Sequence, residues 1–457
     1  MNWTGRQIAA ATGGTCASEG DGPIVTDSRT LSPGAWFLAL VGPTFDGHRF
    51  LAQVAEKGAA GVVVSVPPTE WNRGLVVVPD TNVALRDLGI AARDRLSGVV
   101  VGLTGSAGKT TSRALISLAV GAKGQVHQTT GNLNNQIGVP LTLLAAPEDA
   151  AVCVVELGTS LPGEIAILSE IARPNIRLIV NIGAAHLEEL GGLEGVAREK
   201  GALFDSARPE DVIALNIDDP HLAVRETDLR ARGLRVISYG VTPEAEIRLL
   251  EATLDASNLS TRASFGTPEG IVSTVLPIPG VHIAHNAAGA LAVAHALGLP
   301  LKDAAHRMSA YEPVGMRMRS EPIPGGALAL NDAYNANPTS MVASLGVLAE
   351  LGGRRVAVLG DMLELGRDEA QWHADVARRA GELALDLVVL VGPRMSKAGA
   401  ACIGARELWL EPDLEPVAEK LRAWLRAGDR VLFKGSRGAR VERILLSLQG
   451  SNAAETH

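Results

Sequence analysis

Aromatic side chains are scarce: 6 Phe, 6 Trp and 3 Tyr make up 3% of 457 residues. So few rings give little of the stacking surface that holds single-stranded nucleic acid. Positive charge is not in excess either, since 42 Lys and Arg face 50 Asp and Glu, for a net charge of -8. No nucleic-acid partner is therefore expected, while a local basic pocket for an anionic substrate stays open. The three cysteines, Cys16, Cys153 and Cys402, are odd in number and far apart, which excludes a disulfide framework and any zinc-type spacing. No apolar run approaches the ~20 residues that cross a bilayer, so no membrane insertion is expected. Residues 1–7 lack a basic stretch leading into an apolar one; no secretory leader is expected, and the cytoplasm is the expected compartment.

What is present is apolar mass and glycine. Hydrophobic residues reach 46% against 20% charged, and glycine numbers 50. Such a chain buries real cores, and its length suggests two to four domains at ~150 residues each. In the first hundred residues, β-like runs at 35–40 and 61–66 flank a helical stretch at 50–57. A strand at 74–78 and a helix through Leu85, Leu88 and Ala92 follow. Continuous apolar runs at 99–104, 152–155, 178–180 and 212–215, separated by helix-length segments, predict a parallel sheet covered on both faces. Residues 245–277 lose that rhythm and read as an antiparallel insert. A helix at 286–294 precedes a Pro/Gly-rich break near Pro313, and strands at 356–360, 387–392 and 431–434 make a third α/β unit. The expected domains are 1–97, 98–312 and 313–457, with a tail at 451–457 expected to fray.

One segment carries chemistry outright. Gly102-Leu103-Thr104-Gly105-Ser106-Ala107-Gly108-Lys109-Thr110-Thr111 follows a buried strand and opens a helix. Glycines let backbone N–H groups turn toward phosphates, the helix N-terminus adds positive potential, and Lys109 adds a point charge. Thr110 offers a hydroxyl for Mg²⁺. The strict phosphate-loop pattern has glycine where Leu103 stands, so an ordinary Gly-rich turn is the plain alternative. The coincidence of strand, Gly-Lys-Thr and helix outweighs it. ATP or GTP binding follows, but the loop by itself does not separate kinase, GTPase and ligase. Glu156 ends a strand and His186 follows another, where open α/β sheets place ligands; a helix cap and a structural histidine are their plainer readings. Lys200, taken alone, reads as a solvated helix lysine.

The glycine spacing resembles the ATP loop of the Mur ligase superfamily. Further stretches resemble that family in the same order along the chain. They are Thr26-Asp27-Ser28-Arg29 and 44–50, the asparagine-rich 129–142, then 330–341, 359–366 and Lys434-Gly435-Ser436-Arg437. The resemblance implies an α/β fold of three domains: a small N-terminal UDP-binding unit, a central parallel-sheet P-loop ATPase and a C-terminal Rossmann-like unit. It implies an ATP- and Mg²⁺-dependent ligase of peptidoglycan synthesis, working as a monomer. Its substrates would be UDP-N-acetylmuramoyl-tripeptide, whose terminal carboxylate becomes an acyl phosphate, and D-alanyl-D-alanine, whose amine attacks it.

The resemblance also assigns roles. Residues Gly105, Ser106, Ala107, Gly108, Lys109, Thr110 and Thr111 would hold ATP with Asn286, Arg317 and Asp332. Thr110, Glu156, His186 and a carbamylated Lys200 would hold metal, and Lys109, His186, Lys200 and Arg317 would serve catalysis. Ser28, Arg29, Asp46, Gly47 and His48 would cradle the UDP moiety. Asn132, Asn134 and Asn135 would meet the muramoyl peptide; Asn335, Asn337, Ser340 and Lys434 would lie near the incoming dipeptide. Plain turn chemistry competes for the asparagines. The sequence departs from the family at Ile283, usually Asn, and around Thr159-Ser160. A third-residue-adding ligase would carry Asp-Asn-Pro-Arg, whereas this chain has Asn335-Ala336-Asn337-Pro338-Thr339. Folylpolyglutamate synthase lacks the UDP-type first domain. A P-loop kinase or GTPase, or a catalytically dead nucleotide-gated module, would leave the other motifs without use.

Overall fold

The computed structural model describes residues 1–450; the tail 451–457 lies outside them. Three main sheets carry the chain. In the first, Gly74–Val77, Gly61–Val64, Trp36–Leu38 and Ile24–Val25 run parallel, and Thr15–Ser18 closes one edge antiparallel. Trp36 sets the local sequence. Its buried ring lies where a Cβ at Gly61 or Gly74 would stand, 2.3 and 2.7 Å away, so both neighbouring strands need glycine. Helix Thr81–Arg95, capped by the Asp80 carboxylate, then leaves this unit and packs on the next.

The second sheet has nine strands. Seven are parallel neighbours, in the order Val126–Gln128, Val152–Glu156, Val99–Thr104, Ile176–Ile179, Val212–Asn216, Arg235–Gly240 and Ile247–Asp255. The runs around Val100 and Val154 are buried throughout, as strands covered by helices on both faces must be. The expected antiparallel insert is continuous with this sheet. Ile247–Asp255 joins it through parallel pairing of Tyr239 with Ile247, and Ser260–Thr267 and Gly270–Leu276 extend it antiparallel. The central sheet is therefore mixed, not purely parallel. Buried and exposed residues alternate along Gly270–Leu276, so this edge has one solvated face, which is why the apolar rhythm is lost there.

The third sheet has six strands, in the order Arg319–Ile323, Ala327–Asn331, Arg430–Lys434, Arg355–Gly360, Leu387–Val391 and Leu408–Glu411, antiparallel only in the first pair. Register positions the site. Leu103 pairs with Glu156 and Thr104 with Ile179, so the C-terminal ends of three strands open side by side. No helix among the described residues is long and apolar enough to cross a membrane.

Candidate active site

The loop after Val99–Thr104 is shaped before any ligand arrives. Gly108 caps helix Lys109–Ala119 at φ +77°, a left-handed conformation suited to glycine. A Cβ there would also stand 3.0 Å from the Asn286 amide, which reaches over from helix Val281–Ala296. Ser106 Oγ donates to Gly183 O and accepts from Gly183 N–H, both at 2.9 Å, and Asn181 Oδ1 accepts from Ala107 N–H at 2.9 Å. Lys109 Nζ donates to Gly105 O at 2.8 Å, curling over the loop. Thr111 is buried beneath it.

Beside the loop, Glu156 is a buried carboxylate with four attachments. Oε2 accepts from Thr110 Oγ1 at 3.2 Å and Arg113 Nη1 at 3.1 Å, and Oε1 accepts from Asn134 Nδ2 at 2.9 Å. Its own N–H donates to Thr129 Oγ1. Arg113, itself buried, also donates to Gly131 O at 3.3 Å, so one guanidinium joins the carboxylate to the asparagine-rich loop. Sequence reasoning missed Arg113. Its one signal is position, a single helical turn after Lys109 and hence on the same face.

Of the basic side chains around the loop, Lys109 and Arg113 feel this carboxylate. Lys200, on helix Leu193–Asp205, is 1% exposed and has no hydrogen bond or ion pair among the described residues. Burial chiefly, and Lys109 next, push its amine well below the ordinary lysine range, against the opposing pull of Glu199. Its reading as a solvated helix lysine is therefore wrong. Burial lowers Lys109 as well, with Arg317 adding to the effect and Glu156 opposing it. His186 sits in left-handed backbone at φ +54°, its Nδ1 2.5 Å from Glu364 Oε2 but not aligned for a hydrogen bond. Burial lowers the imidazole first; Glu364 opposes, and Lys200 and Lys109 lower it further. Lys109 thus acts on both His186 and Lys200, which places the three side chains close together beside the loop. Glu199 accepts from Thr159 Oγ1, Gly163 N–H and Ile165 N–H, while Glu164 accepts from Ser160 N–H.

The third unit contributes from the other side. Arg317 stacks on Tyr334 at 3.6 Å, and its charge is felt at both Lys109 and Arg113; Arg319 is exposed. Asp332 Oδ2 accepts from Lys434 Nζ at 2.5 Å and Ser344 Oγ at 2.7 Å, and Oδ1 from Met318 N–H at 3.1 Å. Lys434 is buried and also bonds Asn335 O, so these two residues form one interior network. Asn337 and Ser340 make a reciprocal cap on helix Pro338–Glu350, and Asn337 Nδ2 crosses to Ser106 O at 3.2 Å. Asn335 is exposed with its amide oxygen on Ala336 N–H; Asn132 is exposed, and Asn135 caps Ile137 and Gly138.

The first-unit residues lie apart, with no hydrogen bond or ion pair to the loop among the described residues. His48 Nδ1–H donates to Asp46 Oδ1 at 2.7 Å, while Nε2 accepts from Ser65 N–H at 3.1 Å, which fixes a neutral tautomer. Gly47 is packed so tightly on Ala39 that a Cβ would come within 2.9 Å. Ser28 is buried, and the exposed Arg29 pairs with Asp27.

No three His, Cys, Asp or Glu side chains gather as a metal site among the described residues. Thr110 and Glu156 nevertheless present two oxygens 3.2 Å apart, a fit for Mg²⁺, which fills its other positions with water and phosphate oxygens. His186 and the Lys200 amine fit a second ion only if the amine becomes a carbamate.

Family models match three segments: "Mur ligase family, catalytic domain" at 23–91, "Mur ligase middle domain" at 103–294 and "Mur ligase, glutamate ligase domain" at 316–437. The chain is 35% identical to a Bacillus subtilis (strain 168) protein named UDP-N-acetylmuramoyl-tripeptide--D-alanyl-D-alanine ligase, over 93% of this chain and 92% of that one. It superposes on MurF from Acinetobacter baumannii with TM-score 0.88, 32% identity and 99% of each chain covered. MurF ligase from Thermotoga maritima, solved in complex with ADP, gives TM-score 0.79 and 28% identity, over 94% of this chain and 97% of that one.

Proposed function

The chain belongs to the Mur ligase family, and on that premise we infer that it joins D-alanyl-D-alanine to the terminal carboxylate of UDP-N-acetylmuramoyl-tripeptide, using ATP. The product is the UDP-muramoyl-pentapeptide of peptidoglycan synthesis. One observation carries the local chemistry: in a preformed phosphate loop Lys109 curls onto Gly105 O, while Thr110 meets the buried Glu156 carboxylate beside it. Such a loop is suited to negative charge that grows during phosphoryl transfer.

The peptide carboxylate attacks the γ-phosphorus, and ADP leaves with the electron pair of the broken P–O bond. The resulting acyl phosphate is attacked at carbon by the dipeptide amine; phosphate leaves and the amine loses a proton. Lys109 and the loop N–H groups hold the nucleotide phosphates, and Arg317 adds charge from the third unit. Asn286 borders the adenine side and Asp332 the ribose. Thr110 and Glu156 would hold Mg²⁺, which would supply charge neutralisation at the phosphates. Arg113 keeps the Glu156 carboxylate aimed and ties it to the loop carrying Asn132, Asn134 and Asn135, which supports a peptide-side role for that loop. Lys200, buried and unpaired, is suited to carbamylation, because only a neutral amine reacts with carbon dioxide; the carbamate would hold a second ion with His186. Ser28, Arg29, Asp46, Gly47 and His48 are assigned to the UDP moiety, and Asn335, Asn337, Ser340 and Lys434 to the dipeptide side. The units divide at 1–97, 98–312 and 313–457. A monomer working in the cytoplasm is the form that the family resemblance implies.

The test is phosphate release from Mg²⁺-ATP with UDP-muramoyl-tripeptide, with and without D-alanyl-D-alanine, using lysine- and diaminopimelate-containing tripeptides in turn. Release that requires both substrates is expected. Release with neither, or none in any combination, would mean a different carboxylate and amine.

A further inference from the structure

At the opposite end of the central sheet, a cleft of about 150 Å³ opens where helix Thr81–Arg95 meets the starts of strands Ile176–Ile179 and Val212–Asn216. Arg93, Arg173, Arg177 and Arg208 line it against three carboxylates. Two of those are already engaged. Asp211 accepts from Arg177 Nη2 at 2.8 Å and Asp94 from Arg173 Nη2 at 2.6 Å. The third, Glu210, is exposed and has no ion pair among the described residues.

The remaining arginine donors exceed the acceptors. Arg93 caps helix Glu164–Ala172, donating to Ala172 O at 2.9 Å, Arg173 O at 3.1 Å and Asn175 Oδ1 at 3.0 Å, yet has no carboxylate partner. Arg208 is exposed and its guanidinium has no hydrogen bond or ion pair among the described residues; only its backbone is bonded, N–H and C=O both to Asp211. Arg173 Nε is buried with no acceptor. The guanidiniums also repel one another. Burial first, then Arg173, lowers Arg93; burial lowers Arg177 against the pull of Asp211, and Arg208 adds to the lowering. The cleft has room for a tetrahedral oxyanion.

We propose that this cleft binds inorganic phosphate, as a small tetrahedral oxyanion, between Arg93, Arg173 and Arg208, remote from the ligation pocket. Guanidinium forks match phosphate oxygens, and each contact is a charge-assisted hydrogen bond. Bound there, the anion joins helix Thr81–Arg95 to the central sheet.

The experiment is calorimetric titration of the full chain carrying Lys109→Ala, which removes the phosphate-loop cation, with inorganic phosphate and separately with ADP. One saturable phosphate site is expected to survive Lys109→Ala. Adding Arg208→Gln should weaken it about tenfold or more, as loss of one charge-assisted contact would. Arg93→Lys, which keeps the charge and loses the fork, should weaken it too. In the otherwise native chain, Arg208→Gln should leave turnover unchanged. Loss of the site with Lys109→Ala alone, or unchanged binding in both arginine variants, would overturn the proposal. Competition by ADP for the surviving site would assign it to a nucleotide and overturn it as well.

Discussion

The molecule has two seams, and they are built differently. At the first, helix Thr81–Arg95 approaches the central unit so closely that a Cβ on Gly89 would stand 2.8 Å from Pro140 and 3.3 Å from Ile171. Arg93 bonds two carbonyls across it, and Arg95 lies over Trp3 while pairing with Glu148. At the second, the polar links are Asn337 to Ser106 O, Glu188 N–H to Glu364 O at 3.3 Å, and the His186–Glu364 contact. Three non-glycine residues there, His186, Met318 and Glu364, hold φ of +54°, +53° and +63°. Left-handed backbone at such residues costs ~1–3 kcal/mol each. One seam is dovetailed and the other strained, and the cations meant for ATP gather at the strained one. The contrast predicts that the first unit and the central sheet move as one body, and that the third unit is the one to close on ATP and exclude water from the acyl phosphate.

The largest effect should come from Lys109→Ala, which removes the loop cation without touching either seam. Turnover should fall on the order of 10³-fold, with an unchanged urea midpoint; a wild-type rate would remove the phosphate-loop assignment. Next comes Lys200→Ala, whose turnover should fall on the order of 10²-fold and be partly restored by short carboxylic acids. The same variant tests the amine's environment. Between the depressed folded value and its ordinary 10.5, only the unfolded chain holds this proton, so stability falls as pH falls through that window. In carbon dioxide-free buffer, Lys200→Ala should flatten that slope, seen as a smaller change in denaturant midpoint with pH. Gly89→Val should cost ~1–3 kcal/mol by overpacking the dovetailed seam, read by urea unfolding, with kcat little changed. The smallest effect is expected of Glu364→Gly, at an exposed left-handed residue of the strained seam. It relieves strain of ~1 kcal/mol and gives up the contact with His186, so stability should shift by less than ~1 kcal/mol while kcat changes. If Gly89→Val altered kcat and Glu364→Gly did not, the contrast between the seams would fail.

Much of the fold was legible because buried parallel strands must be apolar throughout. The run at 99–104 is the strand Val99–Thr104, and 152–155 lies within Val152–Glu156. The expected strand at 178–180 begins earlier, at Ile176, because pairing with Val101 fixes its start, and register is a property of two segments. The edge strands at 247–276 were harder to place, since alternation tells which face is wet but not which sheet a strand joins. At the site, Gly108 and Lys109 were readable from local pattern. Arg113 was not, because a helix arginine looks solvated until Glu156 arrives from another strand. The asparagines at 135 and 337 show the limit in reverse. Asn337 caps a helix and Asn135 Oδ1 holds the N–H groups of Ile137 and Gly138, roles that sequence alone does not distinguish from substrate contact.

The acyl phosphate requires that the tripeptide carboxylate bond to the γ-phosphorus beside the Lys109 loop. Oxygen-18 placed in both oxygens of that carboxylate follows the step, with the released phosphate analysed by mass spectrometry. One labelled oxygen is expected in each phosphate formed together with pentapeptide. Unlabelled phosphate accompanying full product formation would rule the acyl phosphate out, since the carboxylate would then never have bonded to phosphorus.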